Sequence, residues 1–248
     1  INNSPTPENL KFLSGTENIW VFDPQHDKEI ISNAGLIIVL DVNDSKRIKD
    51  IQYPVLESDA YKMVIDHHID PKEFADHYAV DTDASSTGEI LYKLFSLDNE
   101  FQLSKEIAEN LYAAVMTDSG SFRFPRTDSE VHRIIADLLD AGADPVNIYD
   151  MVYNTVPYPG FQLLGRSFAS MKLYYEGVLA VMKISKQDFE ETGAREEDVE
   201  NVVENSLSVK GVSIGILITE MPDRQEFRIS FRSKGDYSVR DLAMKFNG

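Results

Sequence analysis

Short apolar runs alternate with amphipathic stretches through the first half of the chain. "GLIIVLD" (35–41) is a β-branched run after Gly35 and reads as a buried parallel strand ending at Asp41. "YKMVID" (61–66) is a second such run and ends at Asp66. "SSTGEILYKLF" (85–95) opens with a capping box, Ser86 with Glu89, and continues with Ile90, Leu91 and Leu94 at helical spacing. "SKEIAENLYAAVM" (104–116) is a helix capped by Ser104, with Ile107, Leu111, Ala114 and Val115 on one face. "TDSEVHRIIADLLDAG" (127–142) carries another capping box, Thr127 with Glu130, and closes on Gly142. Strands alternating with helices predict a parallel sheet.

The pattern breaks at "NTVPYPGF" (154–161), where two prolines and a glycine fall together. A domain boundary is expected there, dividing the chain into 1–155 and 156–248. Beyond it, "VLAVMKI" (178–184) reads as a strand. "GVSIGILITEM" (211–221) and "EFRISFRS" (226–233) read as two strands joined by the Pro-Asp-Arg turn at 222–224. Helices are predicted at 186–192, 196–207 and 238–246. The fold class is therefore α/β, with an N-terminal parallel-sheet domain and a smaller C-terminal α+β domain. No internal repeat or low-complexity segment is present.

Composition narrows the function. A chain of 248 residues with 42% hydrophobic content reads as a soluble globular protein of one large or two ordinary domains. No apolar run approaches the ~20 residues of a membrane-spanning helix, and no signal-peptide pattern opens the sequence. There is no cysteine, so disulfides and thiolate metal sites are excluded, in keeping with a cytoplasmic location. The net charge of −18, from 24 Lys+Arg against 42 Asp+Glu, opposes wrapping of duplex DNA by broad phosphate neutralisation. Part of that excess is a solvated helix face, "EETGAREEDVEN" (190–201). A short phosphorylated ligand remains compatible where local cations or metals receive it.

In open parallel sheets, ligands bind beyond the carboxyl ends of the strands. Asp41 and Asp66-His67-His68 fall at such ends, and "MTDSGSF" (116–122) adds Asp118 where a helix gives way to a loop. Singly, an aspartate after a strand is more often a turn former. Together these carboxylates and imidazoles suit a divalent ion such as Mn²⁺. Ser85, Ser86 and Thr87 sit at a helix N-terminus, a ready anion site, although plain capping accounts for most of Ser86. In "FRSKGD", Arg232 and Lys234, with Ser233 between them, lie at a strand end where they could hold a terminal phosphate. Unaided, two cations at a strand end are usually just solvated. Arg123 is a weaker candidate. His26, His77 and His132 match no motif and read as surface or helix-face residues.

"VLDVND", "VIDHH", "SSTGEI" and "TDSGSF", in this order and at these separations, resemble the DHH phosphoesterase family. The branch most similar is that of the nano-RNase/pAp phosphatases, which degrade very short RNAs and dephosphorylate 3′-phosphoadenosine 5′-phosphate (pAp). "ISFRSKGDYSVRDLAMKF" is similar to the family's DHH-associated substrate domain, so the resemblance spans nearly the whole chain. It implies two Mn²⁺ ions, with Asp41 bridging them, His67 on one of them and Asp118 closing that ion's shell. Asp66 and His68 are then the catalytic pair, Asp66 orienting a histidine from behind and His68 contacting the phosphate. Ser85, Ser86, Thr87, Arg123, Arg232, Ser233 and Lys234 are the expected substrate contacts.

Two segments of the family pattern are absent. The first motif, of the type His-x-x-x-Asp-x-Asp, should lie before Ile1, and a glycine-rich segment should follow Gly248. The cut-looking ends favour omission of both from a longer chain. The expected activity is metal-dependent hydrolysis of phosphate esters in short nucleotides, either RNAs of a few residues or pAp, in a cleft between the two domains. A cyclic or linear dinucleotide phosphodiesterase is the alternative within the enzyme class, and a degenerate, non-catalytic nucleotide-binding module the alternative outside it. No membrane partner is expected, and a homodimer is among the expected assemblies.

Overall fold

The computed structural model describes residues 1–199, 202–235 and 237–245. The chain forms two compact units, Ile1–Thr155 and Val156–Gly248. In the first, α1 (Asp27–Ser32), β1 (Leu36–Leu40), α2 (Gln52–Glu57), β2 (Tyr61–Asp66) and β3 (His77–Val80) precede four helices. These are α3 (Thr87–Phe95), α4 (Lys105–Asp118), α5 (Ser129–Asp140) and α6 (Pro145–Tyr153). The sheet is parallel throughout, in the order β1-β2-β3, with Leu40 opposite Ile65 and Asp66 opposite Val80. Hence β2 is central, and Asp66 ends its middle rail.

Both predicted strands of this unit form. The β1 run is only half-buried, however: Leu36, Ile38 and Leu40 are each about half exposed, while Val39 is buried. The reason is one-sided cover. Ile31, Ile51 and Val55 form a small core with Ile37 on one face of β1. β3 carries too short an apolar run to show in the sequence pattern. His77 belongs to it, with its side chain exposed.

Ser86 and Ser104 cap α3 and α4 as predicted, each accepting a hydrogen bond from a first-turn N–H. The expected Thr127 box does not form. Asp128 caps α5 instead, accepting from the N–H groups of Glu130 and Val131. A carboxylate one residue later takes two orphan donors where the threonine would take one. Glu89 likewise reaches past Ser86 to the N–H and hydroxyl of Ser85. The main core lies among α4, α5 and α6, where Val115, Leu138 and Ile148 are fully buried. Truncating Leu138 to alanine there costs roughly 2–5 kcal/mol.

The second unit contains α7 (Tyr158–Ala169), β4 (Lys172–Tyr174), β5 (Leu179–Ile184), α8 (Lys186–Thr192), β6 (Ile214–Glu220), β7 (Phe227–Ser233) and α9 (Arg240–Met244). Its sheet runs β4-β5-β6-β7, with β5 and β6 parallel and the outer pairs antiparallel. The prolines read as breakers open α7, because a proline in the first turn removes no intrahelical bond. The predicted helix at 196–207 is instead two 3₁₀ segments, Glu196–Val199 and Val202–Ser208. Residues 200–201, and Phe246 at the end of the last predicted helix, lie outside the described residues. Among the described residues no helix is long and apolar enough to cross a membrane.

Candidate metal centre

Parallel pairing carries β1 and β2 to the same edge, so their terminal residues meet. The ladder continues one residue past β1, where the Asp41 N–H bonds to the Ile65 carbonyl at 3.0 Å. Asp41 then turns into the left-handed region at φ 60. Aspartate tolerates that conformation better than most residues, at a cost of about 1–3 kcal/mol that the surroundings must impose. Its carboxylate accepts a 2.8 Å bond from the Thr87 hydroxyl in the first turn of α3.

Gly88 lets that turn come close. A Cβ there would lie 2.8 Å from the Ala114 Cβ of α4, so no larger residue fits. α4 ends at Asp118, whose carboxylate therefore joins the same group.

Asp66 is completely buried. Its Oδ1 accepts from the backbone N–H groups of His67 at 2.8 Å and His68 at 3.2 Å, and from the His68 ring Nδ1 at 2.7 Å. A carboxylate can only accept, so the shared proton sits on Nδ1 and the His68 Nε2 is left free for another partner. The contact joins the Asp66 carboxylate to the His68 ring. Asp66 Oδ2 is buried with no hydrogen-bond partner.

His67 is oriented differently. Its Nδ1 faces the Ala84 carbonyl at 3.4 Å, which places the proton there and leaves the lone pair on Nε2. That nitrogen lies 3.5 Å from Asp41 Oδ1 and 3.6 Å from Asp118 Oδ2. Such separations are too long for hydrogen bonds. They are the separations of atoms that share one ion, since ligands about 2.0–2.2 Å from a metal lie roughly 3–3.6 Å from each other. Ligand atoms of Asp41, Asp66, His67 and His68 all fall within 4.8 Å of one another. Burial first, and then the Asp41 carboxylate, pushes the Asp118 carboxyl above the usual carboxylate range, with His67 and His68 pulling it back. Facing lone pairs and a carboxyl raised by burial and a like charge share one remedy, a bound cation. The residues fit a divalent metal.

The remaining sequence-predicted contacts divide. Ser85, Ser86 and Thr87 are buried, and their hydroxyls are engaged within the protein by Glu89 and Asp41. They do not form an open anion site here, because capping and ligand support use them first. Arg123 is exposed and tied by Nε to the Gly120 carbonyl at 2.7 Å. Arg232, Ser233 and Lys234 lie at the end of β7 in the second unit. There Arg232 pairs with Glu204 at 3.0 Å, the Ser233 hydroxyl donates to the Tyr237 carbonyl, and Lys234 donates to the Leu207 carbonyl.

Sequence reasoning missed Arg126, whose guanidinium lies 3.5 Å from the His67 carbonyl. It borders a cavity of about 330 Å³ beside His67 and Asp118. Its signal was available: a second cation three residues after Arg123, behind Phe124 and a proline. The 2.8 Å support of Asp41 by Thr87 was also missed, because the two are far apart in sequence.

Residues 8–115 match the family described as "DHH family, N-terminal domain". The chain is 30% identical over 246 residues to the bifunctional oligoribonuclease and PAP phosphatase NrnA of Bacillus subtilis, covering 98% of this chain and 74% of that protein. The NrnA protein of Thermus thermophilus is 27% identical, with 96% and 73% covered. Among solved structures, an exopolyphosphatase-related protein from Bacteroides fragilis superposes with a TM-score of 0.92 at 32% identity, covering 97% of this chain and 71% of that one.

Proposed function

The chain belongs to the DHH family, and on that basis we propose that it hydrolyses phosphate esters of short nucleotides, either RNAs of a few residues or pAp, with Mn²⁺. The observation that carries the reading is the convergence of His67 Nε2 on Asp41 and Asp118 at 3.5–3.6 Å. The names of the Bacillus and Thermus relatives support the substrate class.

Asp41, His67 and Asp118 are the residues that would hold the metal. Bound metal supplies Lewis-acid polarisation of the phosphoryl group and an acidified water. The chain's own residues do the rest. Thr87 steadies the Asp41 carboxylate by its hydroxyl. Asp66 fixes the His68 ring through Nδ1, so that Nε2 meets the phosphate. Asp41, Asp66 and Asp118 gather negative charge at one edge, which a bound metal would offset so that a chain of net charge −18 can receive an anion there. In the second unit, Arg232 and Lys234 are the proposed cations for a phosphate of the substrate. The exposed Arg232–Glu204 pair is worth only about 0–1 kcal/mol, so a phosphate can displace it.

An activity panel on the full-length protein with Mn²⁺ tests this, comparing dinucleotides, longer RNA, cyclic dinucleotides and pAp. Turnover of dinucleotides and pAp is expected, with loss in chelator and in Asp41→Ala. Full activity in excess chelator would sink the metal mechanism. Preference for cyclic dinucleotides would transfer the protein to that substrate class.

A further inference from the structure

The cavity beside His67 and Asp118 is lined also by Ser85, Ser119 and the consecutive residues Phe124, Pro125, Arg126 and Thr127. None of the sites assigned from the motifs uses this last segment. We propose that it is a nucleobase subsite, in which a base of the substrate stacks on Phe124 with its polar edge toward Thr127 and Arg126. The inference rests on the nucleotide reading above and adds to it how the base is held.

Four observations carry it. First, the cavity adjoins the metal ligands: one wall is His67 and Asp118, so a phosphate at the metal centre places its nucleoside within reach of the cavity. Second, the volume of about 330 Å³ lies at the small end of ligand pockets, with room for one nucleoside and not for a folded RNA.

Third, the aromatic wall is built. Residues Gly120, Ser121 and Phe122 all take positive φ, at 59, 57 and 65. This tight left-handed turn brings Phe124 back over the loop, its N–H bonded to the Ser119 carbonyl at 3.0 Å. The Phe124 ring lies directly over Gly120, where a Cβ would come within 2.5 Å of it. Glycine at 120 thus seats the ring, which is half exposed. A half-exposed aromatic face beside a guanidinium is the common platform for an unstacked base.

Fourth, the Thr127 hydroxyl is buried without a hydrogen-bond partner, and the Ser119 hydroxyl donates to Met116 and accepts from the Phe122 N–H. Thr127 is therefore the wall residue whose hydroxyl has no partner, and since its neighbours cover that oxygen, the side chain must turn to bring it to a bound base. A hydroxyl both donates and accepts, so it can meet the edge of any base. Stacking and an adaptable hydroxyl together give a subsite that demands a base and is tolerant of which base it is.

The test is calorimetric binding to full-length protein with Mn²⁺, using AMP and ribose 5-phosphate, which keeps the phosphate and lacks the base. Hydrolysis of a dinucleotide is followed alongside. Phe124→Ala is expected to weaken AMP about tenfold or more while ribose 5-phosphate binds as before. Phe124→Trp keeps a stacking face and should hold AMP within about threefold of wild type. Thr127→Val should weaken AMP and leave ribose 5-phosphate unchanged. The subsite is overturned if Phe124→Ala leaves AMP binding intact, if both ligands weaken equally, or if the Trp variant fails as badly as the Ala variant. Should wild type bind AMP through Phe124 and yet cleave no dinucleotide, the subsite stands and the hydrolase reading fails. Should wild type cleave the dinucleotide while Phe124→Ala changes neither turnover nor AMP binding, the hydrolase reading stands and the subsite fails.

Discussion

Asp66 and His68 are joined by a 2.7 Å bond between the buried carboxylate oxygen Oδ1 and the ring Nδ1. Removing the carboxylate frees the ring to turn and to change tautomer. Asp66→Asn is therefore expected to lower kcat/KM roughly 10–100-fold, the usual effect of losing such a partner. His68→Ala should also lower turnover while leaving Mn²⁺ affinity largely unchanged, whereas His67→Ala should weaken the metal itself. Calorimetric metal titration of the three variants checks this. Equal loss of metal affinity in both histidine variants would show that the rings do not divide the work.

Thr87 supports Asp41 by a single hydroxyl at 2.8 Å. Thr87→Val keeps the shape and deletes the donor, and should weaken Mn²⁺ binding about tenfold. Thr87→Ser restores the donor and should recover most of the affinity. A valine variant with wild-type metal affinity would show that the hydroxyl does not support the ligand.

Asp118 carries an electrostatic penalty in the metal-free protein, since burial and Asp41 raise its carboxyl above the usual range. A raised folded-state value favours the protonated native form. That advantage is complete below the unfolded value of about 3.9 and is lost as pH rises through the folded value. Asp118→Asn should thus raise the Tm of metal-free protein at about pH 7, and the gap should close near pH ~4. Mn²⁺ should raise the wild-type Tm and do much less for the variant. Thermal melts across pH, with and without metal, measure both effects.

Arg232 in the second unit is expected to read substrate length. Arg232→Ala should cost about tenfold or more in kcat/KM on a dinucleotide, chiefly in KM, from the loss of charge-assisted bonds of roughly 1.5–3 kcal/mol each. A minimal phosphomonoester should be hydrolysed as before. A uniform loss on both substrates, or none on either, would remove Arg232 from that role.

Periodicity and caps carried much of the fold. The runs at 35–41 and 61–66, and the serines at 86 and 104, each combine a local propensity with a pattern that tertiary contacts do not oppose. Where two local solutions compete, the sequence is mute. Asp128 displaces Thr127 as a cap, and prolines that resemble breakers open α7, because position within the first turn decides their effect.

For the site, the residue types and their placement at strand ends were legible, since a parallel sheet must bring such ends to one edge. The pairing of Asp66 with His68, the 2.8 Å support of Asp41 by Thr87, and the cavity wall of Phe124, Arg126 and Thr127 were decided only in three dimensions. Each depends on a torsion or a close approach between distant segments: the left-handed turn at Asp41, the contact of Gly88 with Ala114, the ring of Phe124 over Gly120. Hydrophobic patterning sets which face of an element is buried. It does not set where a side chain at the element's end will point, and that direction is what makes carboxylates and imidazoles into a metal centre.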